Sequence, residues 1–402
     1  MIPFSPPRID QKIIDEVVAT LKSGWITTGP RTKLFEKKLS AFNGNPNTLC
    51  LNSGTAALEL MLRWFGIKEG DEVIVPAYTY AATANVVVHC GAKPIIADIN
   101  EEDFNISHFE IAKHINSKTK AVIPVDVGGF PCDYDEINRL AKSTSHLFKP
   151  ASPNQEKLGR MLILSDSAHA LGAEYNGKKI GSVTDVAAFS FHAVKNLSTA
   201  EGGAVSLNLP SPFDNEEEYK KLCMSILHGQ NKDALAKQQN GNWKYDIVEA
   251  GYKCNMTDIQ AAMGLVELDR YQKDTLQKRR SICELYHDLL KHDPRIELPL
   301  QRTKEKQSSW HLFSIRIRNI TEAQRDRIIQ KIFDKNISVN VHFIPLPCLS
   351  FYKNAGYNIN DFPVAWDNYS RVISLPVYYD LTTENIKYIC NTLHAVLNDE
   401  KI

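Results

Sequence analysis

The apolar positions of this chain fall into two rhythms. Between residues 48 and 208, short continuous apolar runs alternate with stretches in which apolar residues recur every third or fourth position. The runs at 48–51, 72–76, 93–97, 120–125, 161–165, 186–191 and 203–207 read as strands. The stretches at 55–65, 80–90, 107–115 and 133–142 read as helices. Strands interleaved with helices imply βαβ units and a mostly parallel central sheet flanked by helices, an α/β class. Such sheets bind ligands beyond the carboxyl ends of their strands. That rule says where to look for chemistry.

The flanks follow other patterns. Ile9, Ile13, Ile14, Val17, Val18 and Leu21 have helical period over 9–23, and Gly24 is the stop signal. A turn from Gly24 to Pro30 leads to a second helix at 31–43. Residues 257–292 read as a long helical connector. Strands at 312–317, 338–343 and 372–377, with helices at 321–335 and 382–397, give a smaller α+β C-terminal unit. The expected division is 1–256, a large α/β domain with an N-terminal arm, and 257–402, the connector and small domain. The polar, Pro-bearing stretch 145–160 reads as a surface insertion, and 208–216 as a loop.

A chain of 402 residues is long enough for two or more packed units, at about 100–200 residues each. Its 47 Lys and Arg balance 47 Asp and Glu, which argues against nucleic acid as a partner. A local basic pocket remains open. The 8 Cys are scattered and form no C-x-x-C, so a reducing cytoplasm fits better than a disulfide framework. Met1 to Pro7 lacks the charged lead-in and apolar run of a signal peptide. No apolar stretch approaches the ~20 residues that span a bilayer, so no membrane partner is expected.

The candidate chemistry centres on Lys195, in Ser190-Phe191-His192-Ala193-Val194-Lys195-Asn196. Its flanks are small, hydroxylic or apolar. A partly dry site lowers a lysine pKa and makes the amine nucleophilic. Asp166 ends the run Met161-Leu162-Ile163-Leu164-Ser165. A lysine downstream of a strand-end aspartate is the layout of a pyridoxal phosphate enzyme. The lysine forms a Schiff base with the cofactor aldehyde, and the aspartate keeps the pyridine nitrogen protonated. Each residue also has an ordinary reading: a loop-capping lysine, and a carboxylate in a salt bridge or cap. Asn52-Ser53-Gly54-Thr55-Ala56-Ala57 opens a helix after a strand, where free amides and the helix dipole favour a phosphate. Ser53 alone would be a common N-cap. In Pro76-Ala77-Tyr78-Thr79-Tyr80, an aromatic can stack on a flat ring, or be core. His169, one turn after Asp166, can touch the ring or be structural. His192 raises a metal or general-base role, but no ligand set at zinc-like spacing accompanies it, so no metal is expected.

Assembled, these blocks resemble the DegT/DnrJ/EryC1/StrS family of sugar-nucleotide aminotransferases, within the fold-type-I pyridoxal phosphate superfamily. The similarity runs from Gly24-Trp25-Ile26-Thr27-Thr28-Gly29-Pro30 to Ser374-Leu375-Pro376. Within the family it leans toward the UDP-4-amino-4-deoxy-L-arabinose aminotransferases. The resemblance implies L-glutamate as amino donor and a nucleotide-linked keto-sugar as acceptor. It implies that Lys195 holds the cofactor and shuttles the proton, and that Asp166 pairs with the ring nitrogen. Tyr80 would stack on the ring. Ser53, Gly54, Thr55, Ala56 and Ser190 would hold the phosphate, and His169 would sit near the phenolic oxygen. Asn255 would reach the phosphate from the other subunit of a homodimer. Thr27, Thr28 and His342 would meet the sugar nucleotide, in a region also shaped by Trp310-His311-Leu312-Phe313. The chain departs from the pattern at the 145–160 insertion and at Pro345 to Phe351. A sugar dehydratase of the same fold would carry histidine in place of Lys195. A non-catalytic, cofactor-binding regulator would lack the lysine or the aspartate. An amino-acid lyase or decarboxylase is the remaining rival, against which the Thr27-Thr28 turn and His342 argue weakly.

Overall fold

Seven strands build the central sheet: β1 (Asn47–Leu51), β2 (Glu72–Pro76), β3 (Lys93–Ala97), β4 (Thr119–Val122), β5 (Leu162–Asp166), β6 (Val186–Ser190) and β7 (Gly203–Leu207). The computed structural model describes residues 1–232 and 244–402. The sheet order is β1-β7-β6-β5-β4-β2-β3. Six strands run the same way, and β7 lies antiparallel between β1 and β6. The carboxyl ends of β1, β5 and β6 therefore share one edge with the start of β7. Gly203 pairs with both Leu51 and Ser190, which sets those ends in one row. The strands are apolar on both faces because helices cover both. β2 and β5, for example, are buried along nearly their whole length.

The helices form where the periodicity places them, with end signals of ordinary kind. Asp10 accepts the Ile13 N–H at the start of Gln11–Lys22, and Gly24 follows that helix with a φ of 74°. The next helix, Pro30–Asn43, is capped from far along the chain. The buried carboxylate of Asp258 accepts the amides of Gly29, Arg31 and Thr32, and the Thr32 hydroxyl as well.

Four segments differ from the sequence reading. β4 stops at Val122 because Pro124 has no N–H for the ladder; its carbonyl instead accepts the Asp166 amide. The connector is split into Asp258–Arg270 and Leu276–Leu290 by a π-helical turn at Tyr271–Thr275. Within 145–160, Ser152 caps the short helix Pro153–Leu158, and buried Gln155 ties it to the Phe65 carbonyl. The insertion is thus partly docked. Residues 338–343 are not a strand. Their backbone pairs with Val372–Leu375 through one bridge, Asn340 with Ser374, and runs into Pro345 and Pro347, which cannot donate. The C-terminal antiparallel sheet is made of Ile296–Glu297, Phe313–Ile317 and Val372–Leu375. The helices Glu322–Phe333 and Thr383–Asp399 accompany it. The helices Asn215–Ser225 and Pro363–Arg371 had no counterpart in the pattern.

The first residues cross between the two ends of the chain. Ile2 bridges Ile337, donating to the Asn336 carbonyl and accepting from Ser338. Phe4 then stacks on His342, with ring centroids 5.3 Å apart.

Candidate active site

A cavity of about 370 Å³ opens over the shared strand edge. Ser53, Gly54 and Thr55 line it from the end of β1, Tyr80 from beyond β2, Asp166 and His169 from beyond β5, and Ser190 and Lys195 from beyond β6. Phe4, His311, His342 and Phe343 close it from the other side.

Asp166 is the group least at ease. It is 8% exposed and makes no ion pair among the described residues. Thr83 donates to Oδ2 at 2.8 Å, and the Ala168 amide donates to Oδ1 at 3.3 Å. Thr79 backs Thr83 at 2.8 Å. Burial pushes the carboxyl up; those donors, and the charge of Lys195, pull it back. A buried carboxylate of this kind is costly unless a cation meets it. Lys195 is the mirror case. Burial lowers its amine to about 8, against the attraction of Asp166, and among the described residues no carboxylate pairs with it at salt-bridge distance. About a tenth of the amine is then neutral and nucleophilic at pH 7, against less than about a thousandth for an ordinary lysine.

The far end of the cavity suits an anion. The helix Gly54–Trp64 points its first turn there, and the Gly54 and Thr55 amides precede the first intrahelical bond. Ser190 stands beside Gly54. The close packing needs glycine: a Cβ on Gly203 would come within 2.3 Å of the Ser53 carbonyl carbon. Ser53 is the N-cap as well as a wall of the cavity, because its Oγ accepts the Ala56 amide at 3.0 Å. Ala56 itself does not line the cavity.

Tyr80 is 66% exposed and leans on Phe343 at 6.1 Å, whereas Tyr78 is the core tyrosine. The Gly128 amide donates to His169 Nδ1 at 3.2 Å, so the ring hydrogen sits on Nε2. Burial and the Lys195 charge hold His169 neutral. His342 is lowered to about 4 by the same causes, and its Nδ1 lies 3.0 Å from the Ser374 hydroxyl. His192 lies 3.6 Å from Glu201 at the rim. Among the described residues, no group of three or more His, Cys, Asp or Glu converges as a metal site would need.

Thr27, Thr28 and Asn255 lie outside this cavity, in a corner of their own. Asn255 donates to the Thr28 hydroxyl at 2.6 Å, and Thr28 donates to the Met256 carbonyl at 2.5 Å. Sequence reasoning had no part for Phe4, Thr83, Asn196 or Phe343. Of these only Thr83 had a local signal, a hydroxyl one helical turn after Thr79.

The arrangement fits pyridoxal phosphate. The cavity offers an amine for its aldehyde, a cation-seeking carboxylate for its ring nitrogen and a helix N-terminus for its phosphate. Comparison with known proteins agrees. A model of the DegT/DnrJ/EryC1/StrS aminotransferase family matches residues 7–394. A structure of Spr1654 from Streptococcus pneumoniae, a proposed sugar aminotransferase in its pyridoxamine phosphate form, superposes with a TM-score of 0.96 and 45% identity, covering 100% of both chains. Its pyridoxal phosphate form gives 0.95 and 43%, over 99% of each. The uncharacterised protein MJ1066 of Methanocaldococcus jannaschii is 40% identical, over 100% of this chain and 98% of its own. The spore coat polysaccharide biosynthesis protein SpsC of Bacillus subtilis is 37% identical, over 98% and 97%. The chain therefore belongs to the DegT/DnrJ/EryC1/StrS aminotransferase family and is a pyridoxal phosphate-dependent sugar aminotransferase.

Proposed function

We propose that the protein transfers the amino group of L-glutamate to a nucleotide-linked keto-sugar, a UDP-4-keto sugar in the first instance, in the making of a cell-surface polysaccharide or glycan. The observation that carries this reading is the buried, cation-free Asp166 sharing a cavity with an amine lowered to about 8. The polysaccharide role of SpsC supports the sugar side.

The cofactor supplies an electron sink that makes the carbon–hydrogen bond beside the transferred nitrogen acidic. The chain supplies the rest. Asp166 holds the positive charge at the ring nitrogen, and Thr83 holds Asp166. The amides of Gly54 and Thr55, with the Ser190 hydroxyl, bind the phosphate. Ser53 fixes the turn that presents them, and Ala56 gives its amide to that cap. Tyr80 would lie along the ring, and His169 would offer its Nε2–H to the phenolic oxygen. Lys195 Nζ, once free, takes the α-proton of the donor. It later returns a proton to the sugar carbon from one face, which sets the configuration there. His342, neutral, meets the sugar.

Thr27, Thr28 and Asn255 serve the site of a second copy in a homodimer with shared active sites. Near them, Ile14, Val18, Leu21 and Ile26 on one segment and Ile247, Val248 and Tyr252 on another are exposed, as an apolar interface would have them. The division at residues 256 and 257 separates the cofactor-holding part from the connector and small domain. Eight free cysteines suit the reducing cytoplasm. No helix among the described residues is long and apolar enough to cross a membrane.

The test is a half-reaction followed by absorbance. Protein loaded with cofactor is converted by L-glutamate to the amine form and freed of donor. UDP- and dTDP-linked 4-keto sugars are then added singly. Return of the visible band with one of them is expected. Conversion by glutamate with no return from any sugar would remove the acceptor assignment. No visible band on loading would remove the role of Lys195.

A further inference from the structure

Asn196 directly follows the lysine, and its carboxamide is wholly engaged elsewhere. Nδ2 donates to the Ser309 carbonyl at 2.8 Å, and Oδ1 lies 2.8 Å from His311 Nδ1. With Nδ2 committed to a carbonyl, Oδ1 is the acceptor, so His311 carries its hydrogen on Nδ1 and a lone pair on Nε2. His169 has the opposite tautomer, because the Gly128 amide donates to its Nδ1. The two rings pack with centroids 4.3 Å apart and 36° between planes. One imidazole is thus latched to the neighbour of Lys195 while lying against the histidine that faces the cofactor.

The segment carrying His311 is held from three sides. Buried Arg279 donates Nε to the Trp310 carbonyl at 3.0 Å and Nη2 to the His311 carbonyl at 2.6 Å. Trp310 keeps a φ of 52°, in the left-handed region that a bulky residue rarely enters. The Gly128 carbonyl accepts the amides of His311 and Leu312, both at 3.2 Å. The Ser309 hydroxyl donates to the His169 carbonyl. A Cβ on Gly129 would fall 2.0 Å from that hydroxyl. Residues 309–312 therefore tie the loops after β4, β5 and β6 to the helix Leu276–Leu290.

We propose that His311 is a positioning residue: through Asn196 it sets the loop that aims Lys195, and through its ring it sets the plane of His169. This rests on the roles given above to Lys195 and His169. Burial keeps the His311 ring neutral, and the charged and titratable groups around it, His169, Lys195, Arg279 and His342, none of them acidic, act in the same direction.

The test separates the Nδ1 donor from mere bulk. In His311→Asn the amide nitrogen falls near the place of Nδ1 and keeps the bond to Asn196; in His311→Gln it lies one atom too far. Asn196→Ser removes the latch from the other side and stands in should His311→Gln fail to fold. The first readout is the pH titration of the visible band of the cofactor-loaded protein, which needs neither donor nor sugar. His311→Gln and Asn196→Ser should shift its midpoint by about one unit. They should slow the single-turnover step with L-glutamate about 100-fold, with cofactor retained. His311→Asn should recover most of that rate. Wild-type midpoints and rates in both His311→Gln and Asn196→Ser, or equal losses in the Asn and Gln variants, would overturn the inference. A wild-type protein that titrates but does not react with glutamate would break the proposed function instead, and leaves the titration comparison to decide the role of His311.

Discussion

The Lys195 cavity and the Thr28–Asn255 corner are incomplete in opposite ways. In the cavity, Asp166 and Lys195 feel each other's charge, yet among the described residues neither makes an ion pair at salt-bridge distance. In the corner, the polar groups satisfy one another. Asn255 donates to Thr28, Lys253 donates to Asn255 at 2.5 Å, and Thr28 donates to Met256. What the corner lacks is cover for the apolar residues beside it. Unpaired buried charge marks a place where this chain itself takes up a ligand. Satisfied polar groups beside exposed apolar surface are what the proposed second chain would cover.

The contrast can be broken first at the cavity. Lys195→Ala should lower turnover by about 10⁴-fold or more with the fold unchanged, checked by steady-state rates beside circular dichroism. Substantial remaining activity would mean that the unpaired amine is not the working group. A smaller effect tests the lysine without mutation. Cofactor-free protein should reload at a rate that climbs about tenfold per pH unit and levels off above about 8, as the amine loses its proton. A plateau delayed to the ordinary lysine value of 10.5 would show an amine that burial does not reach. The corner is tested by mixing. Lys195→Ala and Asn255→Ala proteins, each impaired, should regain about a quarter of wild-type activity after their subunits are exchanged, because half the dimers then hold one intact site. No gain on mixing would place Asn255 in the service of its own chain.

The strand-end part of the site was legible because it is local. Asp166 and Ser53 follow an apolar run by a residue or two and Lys195 by four, and parallel sheets put such positions on one edge. Thr83 and Asn196 were not legible as functional, since their importance lies in what they touch rather than in their neighbours. His311 was visible only as part of a segment bordering the sugar region; its bond to Asn196 spans more than a hundred residues of chain. The alternation of Ser338 to Phe343 looks like a strand, yet the chain uses it otherwise. Val341 and Phe343 pack toward the large sheet, and His342 turns to the cavity, so one bridge is all that remains of a ladder. Asn255 was placed by family likeness alone, as its nearest partners are other residues of the same corner.

The strap of Ile2 to Ser5 bears on how the protein is made. Phe4 cannot reach His342, nor Ile2 its bridge to Ile337, until most of the chain has left the ribosome. At about 5–20 residues per second that is a wait on the order of tens of seconds, during which the central strands have long been available to pair. The residues of this strap are thus made early and placed late. Phe4 and Ser5, which line the cavity, are therefore missing from its wall while the central strands first pair.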